Sequence, residues 1–174
     1  MTIVCISGYV GSGKTTVALK LAELLDYPHL NITFKDIARE RGMKLEEVQK
    51  LAEEDRNIDI ELDKLIVKRA REMGGCVVST WLSPWMIPES FKAWLEASPG
   101  MRASRVAGRE NITEAQALEH VNTRDSQNIE RYKKLYSIDI SKHEMFNLVI
   151  ANENKSAEEV AGVIAKALKE FEGR

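Results

Sequence analysis

The chain has 174 residues, 44% hydrophobic and 30% charged, with a formal net charge of −2. That length suits a single domain that buries roughly two thirds of the surface its unfolded chain exposes, so no metal or disulfide staple is required. The near balance of charge excludes an overall pull toward nucleic acid or an anionic membrane, no apolar run is long enough to cross a bilayer, and Met1-Thr2 lead straight into an apolar run without a basic leader; a cytoplasmic monomer is the expectation.

The apolar run at residues 3–7 predicts a first strand. It leads into Gly8-Tyr9-Val10-Gly11-Ser12-Gly13-Lys14-Thr15, which has the GxxxxGK[ST] spacing of a P-loop. Glycines allow successive backbone N–H groups to turn inward around phosphate oxygens. Lys14 then neutralises β/γ-phosphate charge, the Thr15 hydroxyl is the candidate Mg²⁺ ligand, and the positive end of the next helix faces the anion. A nucleoside triphosphate site is therefore expected here.

Val17, Leu21, Leu24 and Leu25 recur at i, i+4, i+7 and i+8, one face of a helix packed on a sheet. Residues 27–32 predict a second short strand. Helical pieces follow at 33–41, ended by Gly42, at 44–54, and at about 56–73, ended by Gly74-Gly75. The β-branched run at 76–80 predicts a buried parallel strand whose C-terminal end lies beside the P-loop. Residues 91–97 fit strand and helix equally by periodicity; Pro88 before them and Pro99-Gly100 after them favour a strand. Helices are expected at 102–109, 113–136 and 156–172, the last opening with a capping box of Ser156 and Glu159, and the last strand at 146–151.

Strands alternating with helices imply an α/β fold, a P-loop NTPase three-layer α/β/α sandwich with a five-stranded parallel sheet and its ligand at the carboxyl ends of the strands. The core is expected at 1–32, 74–101 and 143–174, with helical lids at about 33–73 and 102–136. Cys5 and Cys76 sit inside strand-like runs and are expected as buried hydrophobes. His29, His120 and His143 are isolated and show no metal-ligand spacing.

Arg102, Arg105 and Arg109 fall on one face of their helix at i, i+3 and i+7, and Arg124 and Arg131 stand seven apart on the next. Phosphoryl transfer gathers many negative charges, and arginines that close over them neutralise charge and exclude water; the planar fork binds two phosphate oxygens at once. A solvated surface paired with Glu110, Glu114, Glu119, Asp125 and Glu130 is the alternative reading of the same residues. Asp59 and Asp63, four apart on one helix face, fit reading a pyrimidine edge or a sugar hydroxyl, or solvent-facing pairs with Arg56 and Lys64.

With these residues the chain resembles the nucleoside monophosphate kinases, specifically the archaeal cytidylate kinase group. The resemblance runs through GYVGSGKTT at 8–16, FKDIARERGMKLEEVQKLAEED at 34–55, IDIELDK at 58–64, RASRVAGREN at 102–111, TRDSQNIERYKKLYSIDI at 123–140 and FNLVIAN at 146–152. It implies ATP and Mg²⁺ as cofactors and CMP or dCMP as acceptor, so the expected partners are small nucleotide substrates. It implies Gly8, Gly11, Ser12, Gly13, Lys14, Thr15 and Thr16 on the ATP phosphates, Arg105 and Arg109 in the ATP-side lid, and Lys14, Arg109, Arg124 and Arg131 at the transferring phosphoryl. Lys35, Arg39, Asp59, Asp63 and Trp81 become the acceptor-side candidates.

The chain departs from the family pattern at three places. Lys35 replaces an arginine, Ser79-Thr80-Trp81 replaces an acidic residue followed by Gly-Arg, and Asn147 replaces an aspartate. An indole cannot grip a phosphate as a guanidinium does. A P-loop kinase with a different small-molecule acceptor, and an ATP-binding switch with little transfer activity, therefore stand beside cytidylate kinase as alternatives.

Overall fold

The computed structural model describes residues 1–55 and 57–173. Its strands are β1 (Val4–Gly8), β2 (His29–Leu30), β3 (Val77–Val78), β4 (Phe91–Glu96) and β5 (Leu148–Ala151). They form one parallel sheet in the order β2-β3-β1-β4-β5. The helices are α1 (Lys14–Leu25), α2 (Phe34–Arg41), α3 (Leu45–Glu54), α4 (Asn57–Met73), α5 (Ser83–Met86), α6 (Pro99–Glu110), α7 (Glu114–Tyr136) and α8 (Ala157–Glu172).

Strand alternation builds the three layers. Val4 and Ile6 of β1 point to one face, where Val17 and Leu21 of α1 and Ile164 and Leu168 of α8 cover them. Ile3 and Cys5 point to the other, under Ile66 and Ala70 of α4 and Ile87. β1 is buried along its whole length at the centre of the sheet, so the loop that leaves it emerges at the carboxyl edge between β3 and β4. Two smaller apolar clusters lie off the sheet: Ile37, Ala38, Val48 and Ile58 within α2–α4, and Val10 with Ala103, Val106, Ala107, Ala117 and Val121 of α6 and α7. Among the described residues no helix is long and apolar enough to cross a membrane.

The three-layer parallel sheet agrees with the sequence expectation, but several bounds differ for local reasons. The second strand is His29–Leu30 instead of 27–32, because Asp26 ends α1 in the left-handed region and the Tyr27 N–H still caps the Ala22 carbonyl. The third is Val77–Val78 instead of 76–80, because the chain turns into α5, where Thr80 Oγ1 accepts from the Ser83 N–H. The ambiguous segment is strand β4. Pro99-Gly100 opens α6 instead of closing a strand: Ser98 Oγ accepts from the Met101 N–H and Pro99 takes the first helical position, where its missing N–H costs nothing. The last strand begins at Leu148 instead of 146. The expected start of α4, Arg56, lies outside the described residues.

Leu168, 2% exposed, closes the α8 layer far along the helix from the β1 loop. Replacing it with alanine is expected to cost about 2–5 kcal/mol in urea denaturation, by lost burial and a residual cavity. Ligand affinity measured well below the melting temperature should stay unchanged.

Candidate functional site

Gly11 and Gly13 shape the β1–α1 loop. Gly11 has φ +76°, and a Cβ there would stand 2.5 Å from the Arg102 carbonyl oxygen; Gly13, at φ +88°, is the N-cap of α1. Both backbones require glycine. The loop, with Arg105 and Arg109 of α6, encloses a cavity of about 270 Å³ lined also by Lys14, Thr15 and Thr16. A second hollow of about 180 Å³ shares Gly13, Thr16 and Arg105 with it and adds Val17, Asn152, Lys155, Ala157 and Val160. A larger hollow of about 440 Å³ lies on the surface between α1 and α8, where Lys20 is already shared by Glu23 and Glu158.

Lys14 folds into its own loop, its Nζ donating to the Gly8 carbonyl at 2.6 Å and the Tyr9 carbonyl at 2.9 Å. The indole of Trp81 lies over the same ammonium, 4.8 Å to its centroid. Burial pushes Lys14 down to about 7, opposed by the Asp125 carboxylate and reinforced by Arg102, Arg124 and Arg109. The Ser12 hydroxyl is buried with no hydrogen-bond partner. Thr15 and Thr16 are exposed on the first turn of α1, and Gly8 ends β1.

The five arginines have different fates. Arg102 is 5% exposed and makes a buried ion pair with Asp125 at 2.5 Å, which separates it from the phosphate-facing set with which the helical face grouped it. Arg105 is half-buried: its Nη1 donates to the Ser12 carbonyl at 3.4 Å and to Asn152 Oδ1 at 3.3 Å, and its Nη2 donates to the Asn152 carbonyl at 2.8 Å. Arg109 is exposed and pairs with Glu110 at 2.6 Å. Arg124 is exposed on α7, and Arg131 is paired with Asp59 of α4.

Asp59 and Asp63 face α7, which corrects the solvent-facing reading. Asp63 accepts from the Tyr136 hydroxyl at 2.7 Å; burial raises its carboxyl, and that hydrogen bond partly offsets the rise. Lys35 and Arg39 are exposed on α2, Arg39 paired with Asp36 at 2.9 Å, and neither meets the β1 loop. Trp81 stacks edge-wise on Tyr9, with centroids 6.1 Å apart, and tilts against Tyr132 at 6.2 Å. Ser79 hydrogen-bonds His29 Nε2 at 2.9 Å, and Asn147 Oδ1 accepts from the Lys92 N–H at 2.8 Å. Both cysteines are buried free thiols pushed up to about 11 by burial, as expected of packing groups.

Sequence reasoning missed three residues. Asn152, at the end of β5, donates from Nδ2 to the Ser12 carbonyl at 2.7 Å and orients Arg105. Asp125 follows Ala117 and Val121 at i, i+4 and i+8 on the buried stripe of α7. A carboxylate on an apolar stripe needs a partner, and that was the available signal. Tyr136 had none.

A model of the cytidylate kinase-like family matches residues 3–154. The chain belongs to that family. It is 38% identical over 169 residues to the cytidylate kinase of Pyrococcus furiosus, covering 95% of this chain and 88% of that one. It is 35% identical over 171 residues to the cytidylate kinase of Methanocella arvoryzae, covering 97% and 98%. Among solved structures, an uncharacterized protein from Eubacterium ventriosum superposes with a TM-score of 0.73 at 20% identity, over 97% of this chain and 99% of that one. Shikimate kinase from Acinetobacter baumannii gives 0.62 at 17% identity, over 98% and 94%. These likenesses establish the P-loop kinase fold of this cytidylate kinase-like chain.

The lowered Lys14 has a measurable consequence. A bound phosphate favours the ammonium and raises its pKa, so at pH 8 the site must take up a proton as it fills. Calorimetric titration with ADP at pH 8 in buffers of different ionisation enthalpy should report on the order of one proton taken up per site. The uptake should vanish at pH 6, where Lys14 is already charged, and in Lys14→Met.

Proposed function

We propose that this protein transfers the γ-phosphoryl group of ATP to a nucleoside monophosphate, CMP or dCMP, giving ADP and the corresponding diphosphate. The observation that carries the proposal is a P-loop cavity closed by Arg105 and Arg109 in a chain whose relatives, similar over nearly its full length, are named cytidylate kinase. The residues present fit the phosphates of ATP: left-handed glycines at Gly11 and Gly13, Thr15, Thr16, Arg105 and Arg109 around the cavity, and a Lys14 ammonium held by carbonyls and an indole. The adjoining hollow, with Val17, Ala157 and Val160 beside Asn152, suits a flat heteroaromatic base.

Thr15 is the protein oxygen that would hold Mg²⁺, with phosphate oxygens and water completing the shell that this ion prefers. Among the described residues no cluster of three or more His, Cys, Asp or Glu competes for it. Bound there, the ion would supply neutralisation of phosphate charge.

In the proposed reaction an acceptor phosphate oxygen attacks the γ-phosphorus in line as the bond to the bridging oxygen of ADP breaks. The attacking oxygen is already anionic, so no protein base is needed and catalysis is positioning and charge stabilisation. Lys14, Arg105 and Arg109 act from the ATP side, Arg124 and Arg131 from the acceptor side. The α2–α4 and α6–α7 stretches serve as lids; α2–α4 has its own small apolar cluster, and α6–α7 packs on Val10 of the β1 loop. Arg131 exchanges Asp59 for phosphate when the acceptor enters, and Lys35 and Arg39 reach the acceptor only as α2 closes. Asp59 and Asp63 are then free to meet the base or sugar.

A second reading, a different small-molecule acceptor, is favoured by Trp81, whose indole covers Lys14 at the position where the family pattern carries arginine.

ADP formation from Mg-ATP against CMP, dCMP, UMP, AMP and GMP tests the proposal. Turnover with CMP and dCMP, abolished in Lys14→Ala, is expected; turnover only with other acceptors favours the second reading, and none with any monophosphate overturns the first. Arg109→Ala should lower kcat at least about a hundredfold by removing a donor that meets developing charge. Trp81→Arg should raise CMP turnover if the indole is what restricts the acceptor.

A further inference from the structure

We propose that Asp125 is a positioning residue that anchors α7 to the phosphate loop through a single peptide, Val10, and so sets the register between the two halves of the site. The proposal rests on the β1 loop being the nucleotide phosphate site. It adds an anchor that the motif does not contain.

The Val10 N–H donates to Asp125 Oδ1 at 3.0 Å, across 115 residues of sequence. Arg102 Nη1 donates to Asp125 Oδ2 at 2.5 Å and to the Val10 carbonyl at 2.9 Å, so one ion pair holds both polar groups of one loop residue. Arg102 is itself pinned, its Nε donating to the Ala97 carbonyl at 3.1 Å and its guanidinium lying 5.3 Å over the Tyr9 ring. The residues on either side are held as well: Tyr9 beneath that guanidinium, and Gly11 by close approach to the Arg102 backbone. Arg102 and Asp125 are 5% and 7% exposed.

Stability alone is a weak reason for such a pair. Desolvation of two buried charges offsets much of their attraction, and packed hydrophobes of the same volume often do as well. What hydrophobes cannot do is accept from and donate to the same peptide at once. With Val10 fixed, the loop loses the freedom to re-aim its remaining N–H groups, which preorganises it for an anion. Asp125 also neighbours Arg124 on α7, the helix that carries Arg131, so the acceptor-side arginines and the ATP-side loop share one anchor.

The test is ADP affinity by calorimetry at 15 °C, in the full-length protein, for Asp125→Asn and Arg102→Lys, with Leu168→Ala as a control destabilised at a distant site. Asp125→Asn keeps an oxygen for the Val10 N–H and removes the charge; Arg102→Lys keeps the charge and removes the fork. Each should weaken ADP about tenfold while remaining folded, with Leu168→Ala within twofold of wild type. If Asp125→Asn does not fold, Arg102→Lys alone decides. Wild-type ADP affinity in a folded anchor variant would overturn the proposal, as would an equal loss in Leu168→Ala, which would mean that affinity simply follows stability. ADP binding needs no acceptor, so an absence of CMP turnover in wild type would count against the kinase reading and leave the anchor standing.

Discussion

The constraint on which the site depends is positive charge gathered where water is scarce. Lys14 is folded against the Gly8 and Tyr9 carbonyls, with Arg102, Arg109 and Arg124 all adding to the field on its ammonium. Asp125 is the carboxylate that opposes them, and it is already engaged by Arg102 and Val10. In a chain of net charge −2 this excess is local, built by topology: β1 delivers the loop, and α6 and α7 deliver the guanidinium groups. Such a cradle is suited to an anion of several charges. Lys14 is satisfied by two carbonyls and an indole.

The face between α4 and α7 is organised differently. There polar groups are matched in pairs across α4 and α7, Asp59 with Arg131 and Asp63 with Tyr136, and Trp81 bridges Tyr132 of α7 to Tyr9 of the loop. Trp81 lies at the junction, its carbonyl accepting from Ser7 Oγ at 2.9 Å and its ring on Lys14.

The fold was legible because its signals are local and agree with one another. Alternating Ile3 to Ile6, the glycine-rich loop and the amphipathic α1 all point to one β-loop-α unit, and the capping box at Ser156 starts α8 where expected. Strand ends were less legible, since a run such as 76–80 is apolar beyond the two residues that pair. Pro99 was misread because the same dipeptide closes a strand or opens a helix, and only the Ser98 cap decides. Within the site, the loop residues were readable from a motif whose spacing is fixed by phosphate geometry. The partners that hold them were harder to read: Arg102 and Asp125 are 23 residues apart, Arg102 shares a helical face with Arg105 and Arg109, and only the spacing of Asp125 from Ala117 and Val121 marks it as buried. Asn152 could be recognised only once β5 was seen to end beside the loop.

In the proposed reaction one cleft holds both nucleotides, with their phosphates joined across Lys14 and the α6 and α7 arginines. The most direct measurement is a crystal structure with a bisubstrate analogue that links adenosine to cytidine through five phosphates. The phosphate chain is expected in the β1 loop, contacted by Lys14, Arg105 and Arg109, with Arg131 released from Asp59 and the Trp81 ring displaced from Lys14. An analogue bound elsewhere, or one whose cytidine end lies in solvent with the α4–α7 pairs intact, would contradict it.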